Sequence, residues 1–254
     1  LKKQNKELAE AESMRRDFSS NVSHEMKTPL QVISVYAELM KNDMVLPEDR
    51  QKFAGLIYDE AQAMRGLIND VLTLSKLDES AFAREERPID VTSVARRMAG
   101  RLESFAADEG VSISVKGASA HINGSEALAE EMLYNLIENA VRYNHAGGSV
   151  SVRVSQGAAS EEVLQALRAA GAEPDPASVV TVRVSDTGAG IPEEMREKVF
   201  ERFFRLDKSR SKETGGTGLG LAIVKHAVQY HHGTICVEGA QGEGTTFVLR
   251  LPAA

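Results

Sequence analysis

The chain has no tryptophan, one cysteine, and aromatic residues at only 5% of its 254 positions. Its core must therefore be aliphatic. The single thiol, Cys236, excludes an internal disulfide and fits a reducing compartment. Cys236 lies in the apolar run TICVE at 234–238 and is expected to be a small buried hydrophobe. Long apolar runs are also missing. None approaches the ~20 residues that span a bilayer, and there is no signal peptide. Bases are outnumbered, 30 against 37 acids, and the net charge of −7 argues against a general nucleic-acid binder. An initiating Met is absent too. The opening run LKKQNKELAEAESMRR reads as mid-helix, so a preceding N-terminal segment is expected.

What is present divides into two patterns. Residues 1–43 read as one long helix with an apolar stripe of Phe18, Val22, Met26, Leu30, Ile33, Ala37 and Met40. His24 is two residues past Val22, which at about 100° per residue turns it away from that stripe. Thr28 lies one turn above His24, Glu25 is its neighbour, and Pro29 removes one helix hydrogen bond and should bend the helix. An imidazole on the wet side of a helix, beside a carboxylate and a hydroxyl, reads as a presented nucleophile; taken alone, such a histidine is more often an ordinary surface residue. A second helix is expected over 47–78, opened by Pro47 with Glu48 and Asp49, with the stripe Phe53, Ile57, Met64, Leu67, Val71 and Leu74. The two should form an antiparallel hairpin whose apolar seam is covered by dimerisation into a four-helix bundle. Packing of the hairpin on the second domain is the alternative.

The charged stretch 79–88, ending in Pro88, marks a boundary. The division is 1–79 hairpin, 80–88 hinge linker, and 89–254 second domain. There, 111–115, 149–154, 180–184 and 247–251 alternate with period two, as half-buried strands do. Helices are expected near 92–109, 124–143 and 218–231, giving a two-layer α/β sandwich. The segment 156–178 interrupts two strands that a hairpin could have joined. It reads as a tolerated surface insertion with one short helix.

Four clusters in this domain carry chemistry. Asn135 and Asn139 share a helix face, with Arg142 and Tyr143 on adjoining faces, a set able to hold hydrated Mg²⁺ and phosphate oxygens. Asp186, at a strand end, can accept from an exocyclic amine, and Gly188 and Gly190 let backbone approach a flat ring. From Arg196 to Lys212 there are seven bases and three acids, a local reversal of sign that suggests a polyanionic ligand. Gly215, Gly216, Gly218 and Gly220 precede and open a helix, making an anion site with Thr217 and Leu219 inside it. This last loop is neither a Walker A loop nor a Rossmann fingerprint.

The clusters and their order resemble the sensor histidine kinases of two-component signalling over almost the whole chain. SHEMKTPL (23–30) is similar to the family's phosphoacceptor box, NLIENAVRY (135–143) to its asparagine box, and DTGAGIP (186–192) to its first glycine box. FERFFR (200–205) is similar to its phenylalanine box, GGTGLGLA (215–222) to its second glycine box, and GEGTTF (242–247) to the closing turn. The 156–178 insertion departs from the pattern and leaves the motifs intact. The resemblance implies a dimeric helical hairpin followed by an ATP-binding domain of the histidine-kinase and gyrase ATPase class. ATP would lie between the asparagine helix and a 191–217 lid, with Asp186 reading adenine. Asn135 would hold Mg²⁺, Asn139 would support it, and Arg142 would face phosphate. Gly216, Gly218 and Gly220 would present amides to phosphates, and Arg205 would reach the γ-phosphate. His24 would be the nucleophile, Glu25 its base, and Thr28 a helper in dephosphorylating a partner. That partner would be a response-regulator receiver domain, and the chain the cytoplasmic portion of a cell-membrane sensor anchored through a missing N-terminal segment. A non-kinase ATPase of the same superfamily, or an adaptor without turnover, is the alternative.

Overall fold

The computed structural model describes residues 2–78, 87–206 and 216–254, with side chains from residue 16 onward apart from Asp17 and Asp78. Helix α1 (Lys2–Lys41) and helix α2 (Arg50–Asp78) form the expected antiparallel hairpin. Good helix formers (Ala, Glu, Lys, Leu, Met) dominate both. At the turn Asp43 takes a left-handed backbone (φ 51°) and its carboxylate accepts from Arg50 at 2.7 Å, while Val45 tucks beneath. Pro47 then opens a 3₁₀ turn, Pro47–Asp49, that leads into α2. Near this end Tyr36 and Phe53 meet edge to face, ring centroids 5.2 Å apart. Pro29 lies inside α1, which continues as helix through it. The expected linker falls largely at 79–86, outside the described residues.

The second domain begins with strand β1 (Arg87–Asp90), then α3 (Val91–Arg101), α4 (Glu103–Asp108), β2 (Ser112–Lys116), β3 (His121–Gly124), α5 (Glu126–Arg142) and β4 (Ser149–Gly157). It continues with α6 (Glu161–Ala169), β5 (Val179–Asp186), α7 (Gly220–Tyr230), β6 (Thr234–Gly239) and β7 (Thr245–Pro252). The main sheet has the order β2-β4-β5-β7-β6, parallel only between β2 and β4; β1 and β3 form a separate antiparallel pair. Register follows from the alternation. Val152 pairs with Val184, Val182 with Leu249, and Val180 with Leu251, so β4, β5 and β7 present their branched residues to the same face. Helices α3, α5 and α7 cover that face in one aliphatic core with Met132, Leu133, Leu136 and Ile137 at 0% exposure. Each such side chain contributes about 1.5–3 kcal/mol. Asp90 caps α3 by accepting from the amides of Thr92 and Ser93.

Two expectations change. The 92–109 helix is two helices that meet at Leu102. Cys236 is only half-buried, because edge strand β6 has no strand beyond it; its sulfur faces Nη1 of Arg250 at 3.6 Å. The 156–178 insertion has a core of its own, in which Leu164 and Leu167 of α6 pack with Ala172 and Val179. Ser160 caps α6, and the carbonyl of Ala170 contacts Nδ1 of His232 at 3.0 Å.

Candidate functional site

The site assembles from turns at strand and helix ends. On α1 the His24 side chain is 81% exposed, with Nδ1 3.9 Å from a carboxylate oxygen of Glu25. The Thr28 hydroxyl donates back to the carbonyl of His24 at 3.4 Å, one turn below. The imidazole thus stands in solvent, with its Nδ1 edge turned to a carboxylate.

In the second domain the four clusters converge. Asn135, near the middle of α5, is 9% exposed; its Nδ2 donates to the carbonyl of Glu131 at 2.9 Å. Its Oδ1 lies against Gly220, where an added Cβ would sit 2.5 Å away. The Tyr143 ring extends from the end of α5 to Gly216, whose Cβ position is 3.6 Å from the phenol oxygen. Gly218 has φ +71°, and its Cβ position is 2.9 Å from the backbone of Phe203. A residue other than glycine there would be strained in both respects. The amide of Phe203 donates to the carbonyl of Gly218 at 2.8 Å, which ties the phenylalanine cluster to the glycine loop.

Asp186 ends β5. Its Oδ1 accepts from the amides of Gly188 at 2.8 Å and Thr245 at 3.2 Å, and burial raises its pKa against those two bonds. The Gly190 turn is held by the amide of Gly242, which donates to the carbonyl of Ala189 at 2.7 Å. Asn139 is half-buried one turn beyond Asn135. Arg142 differs from the expected geometry: its guanidinium is paired with Glu138 at 2.5 Å and lies over the Phe105 ring, engaged within α5 and α4. Part of the expected 191–217 lid, residues 207–215, lies outside the described residues.

Among the described residues no group of three or more His, Cys, Asp and Glu could hold a metal ion. The donor set near the glycine loop is instead amide oxygen. That fits Mg²⁺, which keeps most of its waters and takes few protein ligands, with Asn135 Oδ1 as the oxygen held at the loop.

The two domains touch through this site. Arg205 lies 3.6 Å from Glu25, the neighbour of His24. The Phe18 ring packs on Phe203 (5.9 Å between centroids) and lies under the Arg202 guanidinium (5.0 Å). Leu219 and Ile223 bury against Leu67 and Leu74 of α2. The Thr217 hydroxyl donates to the Asp70 carboxylate at 2.7 Å. Phe18, Leu67 and Leu74 were expected to serve the hairpin seam; they also face the second domain. Asp70 was not singled out from the sequence at all. The one available signal was a carboxylate set inside an apolar stripe, between Leu67 and Val71. Asp70 is mostly buried, and its pKa is raised to about 6, first by desolvation and then by Glu131 and Glu138; the Thr217 bond opposes the rise.

Comparisons with known proteins find relatives of both parts of the chain. Residues 14–80 match the His Kinase A (phospho-acceptor) domain, and residues 124–254 match the histidine kinase-, DNA gyrase B-, and HSP90-like ATPase. The sensor-like histidine kinase SenX3 of Mycolicibacterium smegmatis is 35% identical over 97% of this chain; the chain spans 59% of that relative's length. Full-length ShkA, solved in complex with AMPPNP, is 27% identical, covers 92% of this chain with 45% of its own and superposes with a TM-score of 0.63. The histidine kinase ThkA, solved in complex with the response regulator protein TrrA, shares the fold: 20% identity, TM-score 0.69, 97% of this chain and 64% of that one. Among the described residues no helix is long and apolar enough to cross a membrane.

Proposed function

Because the chain belongs to the sensor histidine kinases of two-component systems, we propose that it is an ATP-dependent autokinase that phosphorylates His24 and passes the phosphoryl group to an aspartate of a response-regulator receiver domain. The observation that carries this reading is a junction: Arg205 of the second domain lies 3.6 Å from Glu25, and Glu25 lies 3.9 Å from His24 Nδ1. The phenylalanine cluster and the exposed imidazole thus already share a boundary.

The residues divide the work as follows. Glu25 accepts the Nδ1 proton as it closes on the ring, which leaves the Nε2 lone pair to attack the γ-phosphorus. The new N–P bond forms as the bond to the β-phosphate oxygen breaks and ADP leaves. Arg205 is the cation able to exchange Glu25 for the developing charge on the transferring group. Asp186 accepts from the adenine amine, with Gly188 and Gly190 beside the ring. Asn139 and Tyr143 line the phosphate side with Gly216, Thr217, Gly218, Leu219 and Gly220. Arg142 must exchange Glu138 for phosphate to take its expected role. Asn135 Oδ1 would hold Mg²⁺, which when bound would supply charge neutralisation at the phosphates.

The half-exposed hairpin supports a homodimer through α1 and α2. Leu30, Val35 and Leu72 are each more than half exposed in the single chain, although side chains of this kind usually pack. With the division at 1–79, 80–88 and 89–254, the catalytic domain must move relative to the hairpin for the nucleotide to reach His24. Such a protein works at the cytoplasmic face of a membrane, anchored through residues outside this chain. Thr28, one turn from His24, positions a water against the regulator's phosphoaspartate. Thr28→Ala should impair regulator dephosphorylation and spare autophosphorylation; equal loss of both would remove that role.

The direct test is labelling with γ-labelled ATP and Mg²⁺. Wild type should acquire an acid-labile, base-stable label, and His24→Gln should acquire none. Labelling of the variant at the wild-type level would move the acceptor elsewhere.

A further inference from the structure

Asp70 of the hairpin reaches the glycine loop. It accepts from the Thr217 hydroxyl at 2.7 Å, across 147 residues of sequence. The same hydroxyl oxygen takes the amide of Leu219 at 3.2 Å, so it connects Asp70 to the backbone that opens α7. Immediately beyond, Leu219 and Ile223 are fully buried against Leu67 and Leu74. Leu67 stands one turn before Asp70 and Leu74 one turn after it on α2, so the polar contact is enclosed by apolar ones on the same helix face. We propose that Asp70 is a positioning residue for the glycine loop: its contact with Thr217 is a latch that holds the catalytic domain on α2, and ionisation of the carboxyl group in this enclosed, acid-flanked seat weakens docking even though it strengthens the Thr217 bond itself.

The surroundings give the latch its direction. The groups that act on Asp70 are Glu131 and Glu138 of α5, both acidic, and the Thr217 hydroxyl. Glu138 is partly neutralised by its pairing with Arg142, and Glu131 by Arg101. A charged Asp70 here is desolvated and faces two like charges, which is why its pKa rises from 3.8 to about 6. Once the domains separate, water returns to the carboxyl group and the ordinary value applies. The docked state therefore binds the proton more tightly than the released state, so docking is favoured as pH falls through about 6 and weakened as pH rises above it. Between pH 7 and pH 5 the ratio of docked to released protein should rise roughly tenfold. Where this concerns nucleotide, it rests on the kinase reading above: a triphosphate arriving at the loop brings a second anion toward Asp70 and favours release.

The test reads docking directly, without nucleotide. Label pairs at exposed Lys52 and Lys116, on the full chain with Cys236→Ser, report the distance between hairpin and catalytic domain by pulsed electron resonance. The wild-type docked fraction should follow the tenfold ratio between pH 7 and pH 5. Asp70→Asn keeps an acceptor for Thr217 but cannot titrate, so its docked fraction should not change with pH. Asp70→Ala should lower the docked fraction at pH 5, where the wild-type latch is closed. An Asp70→Asn titration that matches wild type, or a distribution at pH 5 unchanged in Asp70→Ala, overturns the latch. Such a failure leaves the kinase reading intact, since that reading is tested by labelling of His24.

Discussion

Replacing Phe18 with Ala separates two roles that one ring could have. As a member of the α1 stripe, Phe18 would stabilise the hairpin; by its contacts, it stabilises docking. The ring meets Phe203 at 5.9 Å and lies 5.0 Å from the Arg202 guanidinium, both in the catalytic domain. An aromatic pair of this geometry contributes about 0.5–1.5 kcal/mol and an exposed cation–π contact about 0.5–1. Their loss should cost docking about 1–2.5 kcal/mol, a fall of roughly 5- to 70-fold in the docked-to-released ratio. Single-molecule energy transfer between dyes on the hairpin and the catalytic domain measures that ratio. Tyr36→Ala is the contrast: its ring faces Phe53 inside the hairpin at 5.2 Å, so it should lower the melting temperature of the hairpin and leave docking alone. If Phe18→Ala lowers hairpin melting as Tyr36→Ala does and leaves the ratio unchanged, the assignment of Phe18 to the interdomain contact is wrong.

Gly220→Ala puts a methyl group 2.5 Å from Asn135 Oδ1 and so displaces the amide from the loop. Affinity for a fluorescent ADP analogue should fall at least about tenfold with the domain still folded, and an unchanged affinity would detach Asn135 from the site. His231 is 3% exposed beside Gly124, and burial holds its pKa below the ordinary 6.5. In acid the unfolded chain takes up this proton before the folded one, so stability should drop as pH falls below about 6.5. Thermal melts of His231→Leu should lose less between pH 7 and 5.5 than those of wild type; parallel losses would exclude His231 as the source.

Much of the fold could be read from local pattern. The valines of β4 and β5 alternate because one face is buried, and that alternation also sets their register with Leu249 and Leu251. The glycine, asparagine and phenylalanine clusters were legible because each requires a residue type that its turn or helix face cannot replace. What could not be read was pairing at a distance. Asp70 and Thr217 are each ordinary in their own segments, and only the docked arrangement gives them to one another. Arg142 stands four residues from Glu138, so the sequence permitted their ion pair as readily as a free guanidinium facing phosphate. The β1–β3 pair has four residues in each strand, too few for alternation to stand out. Cys236 followed the pattern of a buried strand, but burial also depends on whether another strand lies beyond, which residues 234–238 do not reveal.

The small core of α6 has a practical consequence. Leu164 and Leu167 close the end of the β4–β5 hairpin formed by Gly157 and Val179, whereas Asp186 lies at the opposite end of β5. Length inserted at 173–177 is anchored by its own apolar contacts, so the strain it brings ends at Leu167 and does not travel along the strands. That bend is therefore where a fluorescent reporter could be grafted with the adenine end of the sheet left undisturbed.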